Sequence, residues 1–337
     1  MEKINNIEIS NFKSIKHLKI DGCKKINVFV GMPNAGKSNI LEALGLFGLK
    51  NDFFNLKNFV RYNNFSDLFY EGNFNGKLAS IKCNNLTLGF SYGDGLGFFK
   101  REDKDKKHLF LSIDKKGIGF DKNQLYEKKV FPAFNLTTKK YSFNKNHKNN
   151  NQSDSTSLNH PFGENLAEII ALNPILRNKI NEFFKQNNLK LLIEKGTNEL
   201  KIFKEYQDGT VFTLPYDMIA DTLQRLIFYK AAIMSNKESV LLFEEPEAHC
   251  FEPYILEFTN DVKYDENDNQ FFIVTHSDFI IKEFLRDEES KENTNIYLVH
   301  NVNGETQVKL LEKDKNEDVY EFGMNPFFNF ESLWETN

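Results

Sequence analysis

The most constraining feature of the chain is the motif G-x-x-x-x-G-K-S at residues 31–38, which follows an apolar stretch and precedes a helical one. Its two glycines let the backbone curl so that successive N–H groups face inward and cradle phosphate oxygens. Lys37 adds a positive charge for the β- and γ-phosphates, and the Ser38 hydroxyl can ligate Mg²⁺. This order predicts a nucleoside triphosphate site formed by Gly31, Pro33, Asn34, Ala35, Gly36, Lys37, Ser38 and Asn39.

Composition limits the classes of protein that the chain can be. The 337 residues are 40% hydrophobic, which is enough for a sizeable core, and the net charge of −5 argues against a surface that grips nucleic acid over its whole extent. A local basic face stays possible. The three cysteines are far apart and predict neither a disulfide framework nor a zinc site. With no secretory signal and no long apolar run, we expect a soluble, cytoplasmic protein without a membrane partner.

Both ends of the chain alternate strands and helices, whereas the middle does not. Glycines 93, 95 and 97 are predicted to lie in a loop, because no helix follows them. Helices are expected at 39–48, 166–184 with a break near Pro174, 221–234, 253–262 and 278–285. Strands are expected at 4–9, 18–20, 26–30, 77–83, 86–92, 109–114, 189–193, 200–203, 239–243, 271–274, 296–299 and 308–311.

The segment 139–160 is rich in lysine, asparagine and serine and nearly lacks apolar residues. We interpret it as a mobile insertion loop. The alternative is a basic finger that touches the phosphates of a nucleic acid.

A buried strand near residue 240 ends in two acids, Glu244 and Glu245, which is costly unless a cation lies there. Alternation predicts that Glu244 reaches Mg²⁺ through Ser38 or water, while Glu245 faces the γ-phosphate and activates water as a general base. His276 follows the next buried strand and can donate a hydrogen bond to the γ-phosphate. Parallel neighbours end at the same edge of a sheet, where ligands bind. The alternatives are acids that fray into solvent and a structural histidine.

Taken together, these motifs resemble the ABC-type ATPase heads of the RecF, SMC and OLD (overcoming-lysogenization-defect) group. The resemblance covers both ends of the chain well and residues 100–200 poorly. It implies an α/β fold: an ABC-ATPase-like P-loop NTPase head with a mixed sheet, an antiparallel β subdomain and an inserted helical lobe. It also implies ATP and Mg²⁺ as ligands. The motifs that carry it are I-x-I-S-N-F-K-S-I at 7–15, G-M-P-N-A-G-K-S-N at 31–39, L-L-F-E-E-P-E-A-H at 241–249 and I-V-T-H-S at 273–277.

By this resemblance Lys37, Glu245 and His276 are the catalytic residues, and Ser38 with Glu244 holds the metal. Residues 1–100 would form the first half of the head, 101–210 an insertion with a helical lobe, and 211–337 the second half.

Heads of this group dimerise face to face, and a signature turn of one subunit caps the ATP of the other. The usual serine-glycine signature is missing here. Its best candidate is the segment 220–225, where Asp221 and Thr222 would meet the partner's nucleotide and Thr222 would replace the serine. The alternative is an ordinary Asp/Thr N-cap. The magnesium-sensing glutamine is also missing, and Asp67 is the candidate in its place.

Three functions follow from the resemblance. The first is an ATPase that forms a homodimer or a higher even oligomer and controls a separately encoded effector, as small heads without a nuclease domain do in defence against phage. The second is a RecF-like clamp on duplex DNA, with 100–107 and 139–148 as its basic segments. The third is a nucleotide-gated scaffold with little turnover. A GTPase is disfavoured because no N-K-x-D tetrapeptide occurs, and a small-molecule kinase because its base would not be the second acid.

Overall fold

The computed structural model describes residues 2–49, 53–74, 77–93, 96–103, 106–114, 117–119, 136, 138–145, 155–185, 188–194, 196–197 and 199–336. Its strands are β1 (Asn6–Phe12), β2 (Ile15–Asp21), β3 (Ile26–Val30), β4 (Ala79–Cys83), β5 (Leu86–Gly93), β6 (Leu96–Asp103), β7 (Lys106–Asp114), β8 (Gly117–Gly119), β9 (Thr138–Tyr141), β10 (Lys190–Ile193), β11 (Leu200–Glu205), β12 (Val211–Pro215), β13 (Val240–Glu244), β14 (Gln270–Val274), β15 (Thr294–Val302) and β16 (Glu305–Leu310).

Its α-helices are α1 (Lys37–Gly45), α2 (Leu166–Leu172), α3 (Pro174–Lys185), α4 (Asp221–Ser235), α5 (Glu252–Lys263), α6 (Asp278–Leu285), α7 (Glu288–Glu292), α8 (Lys313–Tyr320) and α9 (Phe330–Thr336). Short 3₁₀ turns cover Leu46–Gly48, Phe53–Asn58, Phe65–Leu68, Tyr70–Gly72 and Tyr216–Met218. None of the helices in these described ranges is long and apolar enough to cross a membrane.

The chain folds into two compact units, and each combines segments that are distant in sequence. The first comprises Met1–Lys140, Ser239–Glu244 and Gln270–Asn337, so it contains both ends of the chain. The second comprises Tyr141–Glu238 and Glu245–Asn269. The domain boundaries near residues 100 and 210 stay a prediction.

The centre of the first unit is a mixed sheet with the strand order β16-β15-β3-β14-β13-β9. Strand β3 is parallel to both of its neighbours, β14 and β15, and β14 is parallel to β13. All residues of β3 and β14 are buried, which explains why both read as continuous apolar runs. The amide of Asn27 is the polar exception in β3, and it donates to the backbone oxygens of Lys24 and Phe271.

A second sheet of the first unit is antiparallel, with the order β2-β1-β4-β5-β6-β7-β8. The predicted hairpin at the start of the chain and the predicted strands β4, β5 and β7 are confirmed. The predicted glycine loop is wrong at two positions, because Gly93 ends β5 and Gly97 lies in β6, opposite Tyr92. Gly95 lies outside the described residues. Strand β6 reads L-G-F-F-K-R-E-D, with its apolar residues at the start and four charged residues at the end, so no apolar alternation revealed it in the sequence. The α/β fold with a mixed sheet and an antiparallel subdomain is confirmed.

The second unit contains helices α2–α5 and the three-stranded antiparallel sheet β10-β11-β12. The predicted break at Pro174 is confirmed, since α2 ends at Leu172 and α3 begins at the proline. The predicted loop 139–160 is wrong at its start, because residues 139–141 belong to β9 and are buried. Residues 146–154 of that loop lie outside the described residues.

Candidate nucleotide-binding site

Three segments of the first unit reach the same edge of the mixed sheet. In the parallel register Phe29 lies beside Val274, and Val274 lies beside Glu244. The glycine loop leaves β3 directly after this level, and His276 follows two residues beyond Val274. The structure therefore brings the loop, Glu244 and His276 to the carboxyl ends of neighbouring strands, the position at which ligands bind in open α/β sheets.

Both glycines of the loop are required by close approach to neighbouring strands. A Cβ on Gly31 would lie 2.0 Å from the carbonyl oxygen of Val299 on β15. A Cβ on Gly36 would lie 2.0 Å from the Thr306 hydroxyl on β16, and Gly36 also has a φ of 97°, in the left-handed region. These contacts hold the loop against the sheet while it turns into α1.

Lys37 is the first residue of α1, and its side chain is almost fully buried. The ammonium donates to the carbonyl oxygens of Gly31 (2.8 Å) and Met32 (2.9 Å), so it arches back over the loop that precedes it. The N–H groups that begin α1 and this ammonium are donors of the kind that bind phosphate, and this role of Lys37 stays a prediction.

Hydrogen bonds from small polar side chains hold the glycine loop on the side that faces the sheet. Thr306 donates from its hydroxyl to the carbonyl oxygen of Ala35 (3.0 Å). The Ser14 hydroxyl lies 2.7 Å from the Thr306 hydroxyl and accepts from the amide of Asn39 (2.7 Å). Strand β16 and the turn before β2 thus support the loop that would carry phosphate. Pro33 and Asn34 are exposed at its tip.

Glu244 ends β13 and lies next to Ser38, whose hydroxyl hydrogen-bonds the carboxylate. Burial would raise the pKa of Glu244, but Lys140, Ser38 and Arg61 outweigh burial and hold that pKa below its usual value. A hydroxyl and an ionised carboxylate are hard oxygen donors of the kind that Mg²⁺ prefers. In the described ranges no group of three or more His, Cys, Asp and Glu side chains could hold a metal by itself. The pair therefore fits a Mg²⁺ that also binds nucleotide phosphates.

The sequence did not reveal the cations around Glu244. Lys140 of β9 lies 3.1 Å from one carboxylate oxygen, and Arg61 lies 3.3 Å from the other. Arg61 also contacts Glu42 of α1 (2.7 Å), and the fully buried Glu42 pairs with Lys13. Positive and negative groups alternate along this chain of contacts, which joins α1 to the end of β13.

His276 is exposed at the end of β14. Its ring stacks on that of Phe327, with 6.2 Å between the centroids and an angle of 29° between the planes. Helix α6 begins at Asp278, and Ser277 caps it by accepting a hydrogen bond from the N–H of Ile280 (3.4 Å). The histidine is therefore held between a helix start and an aromatic ring that the sequence did not place there.

Glu245 follows Glu244 in the chain and is the first residue of its segment in the second unit. It is exposed and has a φ of 47°, in the left-handed region, which is uncommon for glutamate. Strained backbone of this kind often occurs at functional positions. Its role as general base stays a prediction.

The candidate signature segment lies at the start of α4, in the second unit. Ala220 is the N-cap residue and no side chain caps the helix, so the alternative of an Asp/Thr N-cap is wrong. Asp221 instead pairs with Arg225 (2.9 Å), and Thr222 donates its hydroxyl to the carbonyl oxygen of His249 (2.9 Å).

The side chain of Asp67 stabilises a turn. Its carboxylate accepts from the N–H groups of Asn64 (2.8 Å) and Asn63 (2.9 Å), as part of a capping box on a short 3₁₀ helix. These backbone hydrogen bonds, that of Asn64 first, lower the pKa of Asp67. The carboxylate is thus already used to close a turn, which argues against Asp67 as the magnesium sensor.

Comparison with known proteins agrees with this geometry. Residues 3–224 match the AAA ATPase domain family. An "ATP/GTP phosphatase" of Helicobacter pylori is 56% identical over 41 residues, which are 12% of this chain and 11% of that protein. The "DNA replication and repair protein RecF" of Nitrosococcus oceani is 36% identical over 53 residues, 16% of this chain and 15% of that protein. The chain thus matches only a small part of the length of these two relatives.

The crystal structure of an SMC head bound to the C-winged helix domain of ScpA aligns with 93% of this chain and 99% of that one. The TM-score is 0.55 at 16% sequence identity, so this likeness establishes the fold alone. The family match extends over more than half of the chain and includes the glycine loop. The chain therefore belongs to the AAA ATPase domain family, and its fold is similar to that of an SMC head.

Proposed function

We propose that this ATPase binds ATP with Mg²⁺ at the shared edge of β3, β13 and β14 and hydrolyses it there. The observation that supports this most is that Lys37, Ser38, Glu244 and His276 lie at the carboxyl ends of parallel strands in register. Lys37 and the start of α1 bind the phosphates, and His276 donates a hydrogen bond to the γ-phosphate. Glu245 accepts a proton from the attacking water.

Ser38 and Glu244 would hold the magnesium ion. When bound, Mg²⁺ supplies Lewis-acid polarisation of the phosphate oxygens. The protein's own contribution is to fix the two oxygen donors, since Ser38 is held by the first turn of α1 and Glu244 by the end of β13.

We infer further that two heads close on ATP. Helix α4 has 15 residues and begins at Asp221 and Thr222. As in any α-helix, its first N–H groups have no acceptor within the helix and can bind an anion. The contact of Thr222 with His249 orders this start within its own unit. In a closed homodimer, or a higher even oligomer, this helix start would meet the partner's γ-phosphate in place of the missing serine-glycine signature.

The partner of such a dimer would be a separately encoded effector, and defence against phage is the setting that the resemblance to OLD-like heads favours. ATP-driven closure would then switch the effector. A nuclease or toxin gene next to this one, whose product co-purifies with the head only in the presence of ATP, would support this role. Co-purification to the same extent with and without ATP would contradict this role.

Hydrolysis is tested by phosphate release from purified protein over a wide range of protein concentrations. A composite site makes the specific activity rise with concentration, whereas a site complete in one chain keeps it constant.

Glu245→Gln should lower turnover by orders of magnitude and retain ATP binding. Glu252→Gln, at an exposed residue of α5, is the control and should leave turnover unchanged. Full turnover by Glu245→Gln would remove the base assignment, and no turnover by the native protein would favour the scaffold.

A RecF-like clamp on duplex DNA is the second candidate, and the stretch shared with RecF supports it. Lys139 and Lys140 are buried, so they cannot serve a basic finger. The side chains of 100–107 and residues 146–148 lie outside the described residues. Duplex binding that strengthens with ATP and weakens steeply with salt would favour the clamp. Its absence at low salt would favour control of an effector protein.

A further inference from the structure

The carboxylate of Glu244 has a cation at each oxygen. The Lys140 ammonium lies 3.1 Å from Oε2, and Nη2 of Arg61 lies 3.3 Å from Oε1. The two cations differ in their environment, because the side chain of Lys140 is 6% exposed and that of Arg61 is 67% exposed. Water therefore screens the contact with Arg61 far more than the contact with Lys140.

The fold holds Lys140 in this position. The residue belongs to β9, which is the neighbour of β13 in the mixed sheet, so the end of β13 lies beside it. A Cβ on Gly45 of α1 would lie 3.6 Å from the Cβ of Lys140, so the helix packs closely on the base of the side chain. A charged ammonium is costly to bury unless an anion lies beside it. Glu244 is the anion within ion-pair distance.

We propose that the Lys140 ammonium competes with Mg²⁺ for the carboxylate of Glu244 and so sets the magnesium concentration that this ATPase needs. This inference rests on the proposed function, because it takes Glu244 as the acid on the magnesium side. A divalent ion bound by Ser38 and Glu244 lies close to a fixed positive charge and must take over a carboxylate oxygen that the ammonium already binds. Both effects weaken metal binding.

The neighbouring residue supplies a matched control. Lys139 lies on the same strand and is buried to a similar degree, since 7% of the whole residue is exposed against 5% of the whole residue for Lys140. Side chains alternate along a strand, so Lys139 projects to the opposite face from Lys140. Lys139→Met removes the same charge at the same depth without changing the partners of Glu244.

The experiment titrates Mn²⁺, followed by electron paramagnetic resonance, into the protein bound to a non-hydrolysable ATP analogue. Lys140→Met and Lys140→Gln should each lower the half-saturating Mn²⁺ concentration by about tenfold, because the competing charge is gone. Gln retains a hydrogen-bond donor and Met does not, so an equal shift in both assigns the effect to charge. Lys139→Met should leave the midpoint unchanged. Arg61→Met should shift it less than Lys140→Met.

A second measurement follows thermal unfolding in the presence of a chelator. Lys140→Gln should unfold at a lower temperature than the native protein, because Glu244 loses its buried partner. Added Mn²⁺ with the nucleotide analogue should then stabilise this variant more than it stabilises the native protein. This readout does not depend on turnover.

An unchanged or higher Mn²⁺ midpoint in both Lys140 variants would overturn the proposal, as would an equal fall in Lys139→Met. Failure of the proposed function has a different signature. If the native protein binds Mn²⁺ with the analogue no more tightly than Glu244→Gln does, Glu244 is not a metal-side residue at all.

Discussion

At the scale of single residues, Lys37 is the group whose loss should affect the nucleotide most directly. Its ammonium lies over the glycine loop, 2.8 Å from the carbonyl oxygen of Gly31. Lys37→Ala should weaken ATP binding by about 100-fold, since charge-assisted hydrogen bonds to phosphate contribute about 3 kcal/mol. Titration calorimetry measures this affinity. Lys16→Ala, at an exposed residue of β2, should bind ATP as the native protein does.

Gly36 has both an unusual backbone conformation and a close neighbour, and a second glycine separates the two effects. Gly22 also has a positive φ, 71°, but a Cβ there would meet nothing within 4 Å. Gly22→Ala should therefore lower the free energy of unfolding by only about 1 kcal/mol, through backbone strain. Gly36→Ala should cost more and abolish ATP binding, because its Cβ would clash with Thr306. Denaturant unfolding and calorimetry check both, and equal stabilities would contradict the clash.

At the scale of elements, the contact between β16 and the glycine loop depends on one hydroxyl. Thr306 is fully buried and donates to the carbonyl oxygen of Ala35. Thr306→Val should lower the free energy of unfolding by about 1–3 kcal/mol and weaken ATP binding several-fold, because the carbonyl loses its donor. Thr306→Ser keeps the hydroxyl and should retain the affinity. If Thr306→Val binds ATP as tightly as Thr306→Ser, β16 does not support the loop.

Helices α4 and α5 of the second unit are joined by a buried ion pair. Lys230 lies 2.5 Å from Asp261, and their side chains are 2% and 9% exposed. Asp261→Asn should lower the free energy of unfolding by about 3–5 kcal/mol, because the buried ammonium keeps its charge and retains only the half-exposed Glu257, 3.5 Å away. The double variant Lys230→Met with Asp261→Leu should recover most of this loss. Urea unfolding of the single and double variants measures it, and additive losses would contradict the pairing.

At the scale of the whole molecule, closure of two heads on ATP predicts a change in mass. Glu245→Gln should form a stable dimer with ATP and Mg²⁺, because it binds ATP without turning it over. Light scattering after size exclusion measures the mass with ATP and with ADP. The double variant Lys37→Ala with Glu245→Gln should have the same mass with ATP as with ADP, since it cannot bind the nucleotide. A mass that is the same with ATP and ADP would contradict ATP-driven dimerisation.

The glycine loop and the two buried strands were predictable because each depends on residues that are close in sequence. Residues 31–38 fix their own turn, and the apolar runs of β13 and β14 end abruptly in polar residues. Parallel strands then place those ends at one edge, whichever helices connect them. Lys140 was missed for the opposite reason. It lies in a segment rich in lysine and asparagine, whose composition is typical of a solvated loop, although the structure buries it in β9.

The sequence by itself determined the phosphate-binding loop, the acid at the end of β13 and the alternation of strands and helices at both chain ends. These features are visible locally, because a glycine turn and a strand buried on both faces each require particular residue types at neighbouring positions. Only the tertiary structure decided what surrounds them. Thr306 supports Ala35 from 271 positions away, and Lys140 meets Glu244 because β9 adds to the sheet beside β13. Such contacts arise when strands pair, and strand pairing across long separations has no signature in the residues themselves.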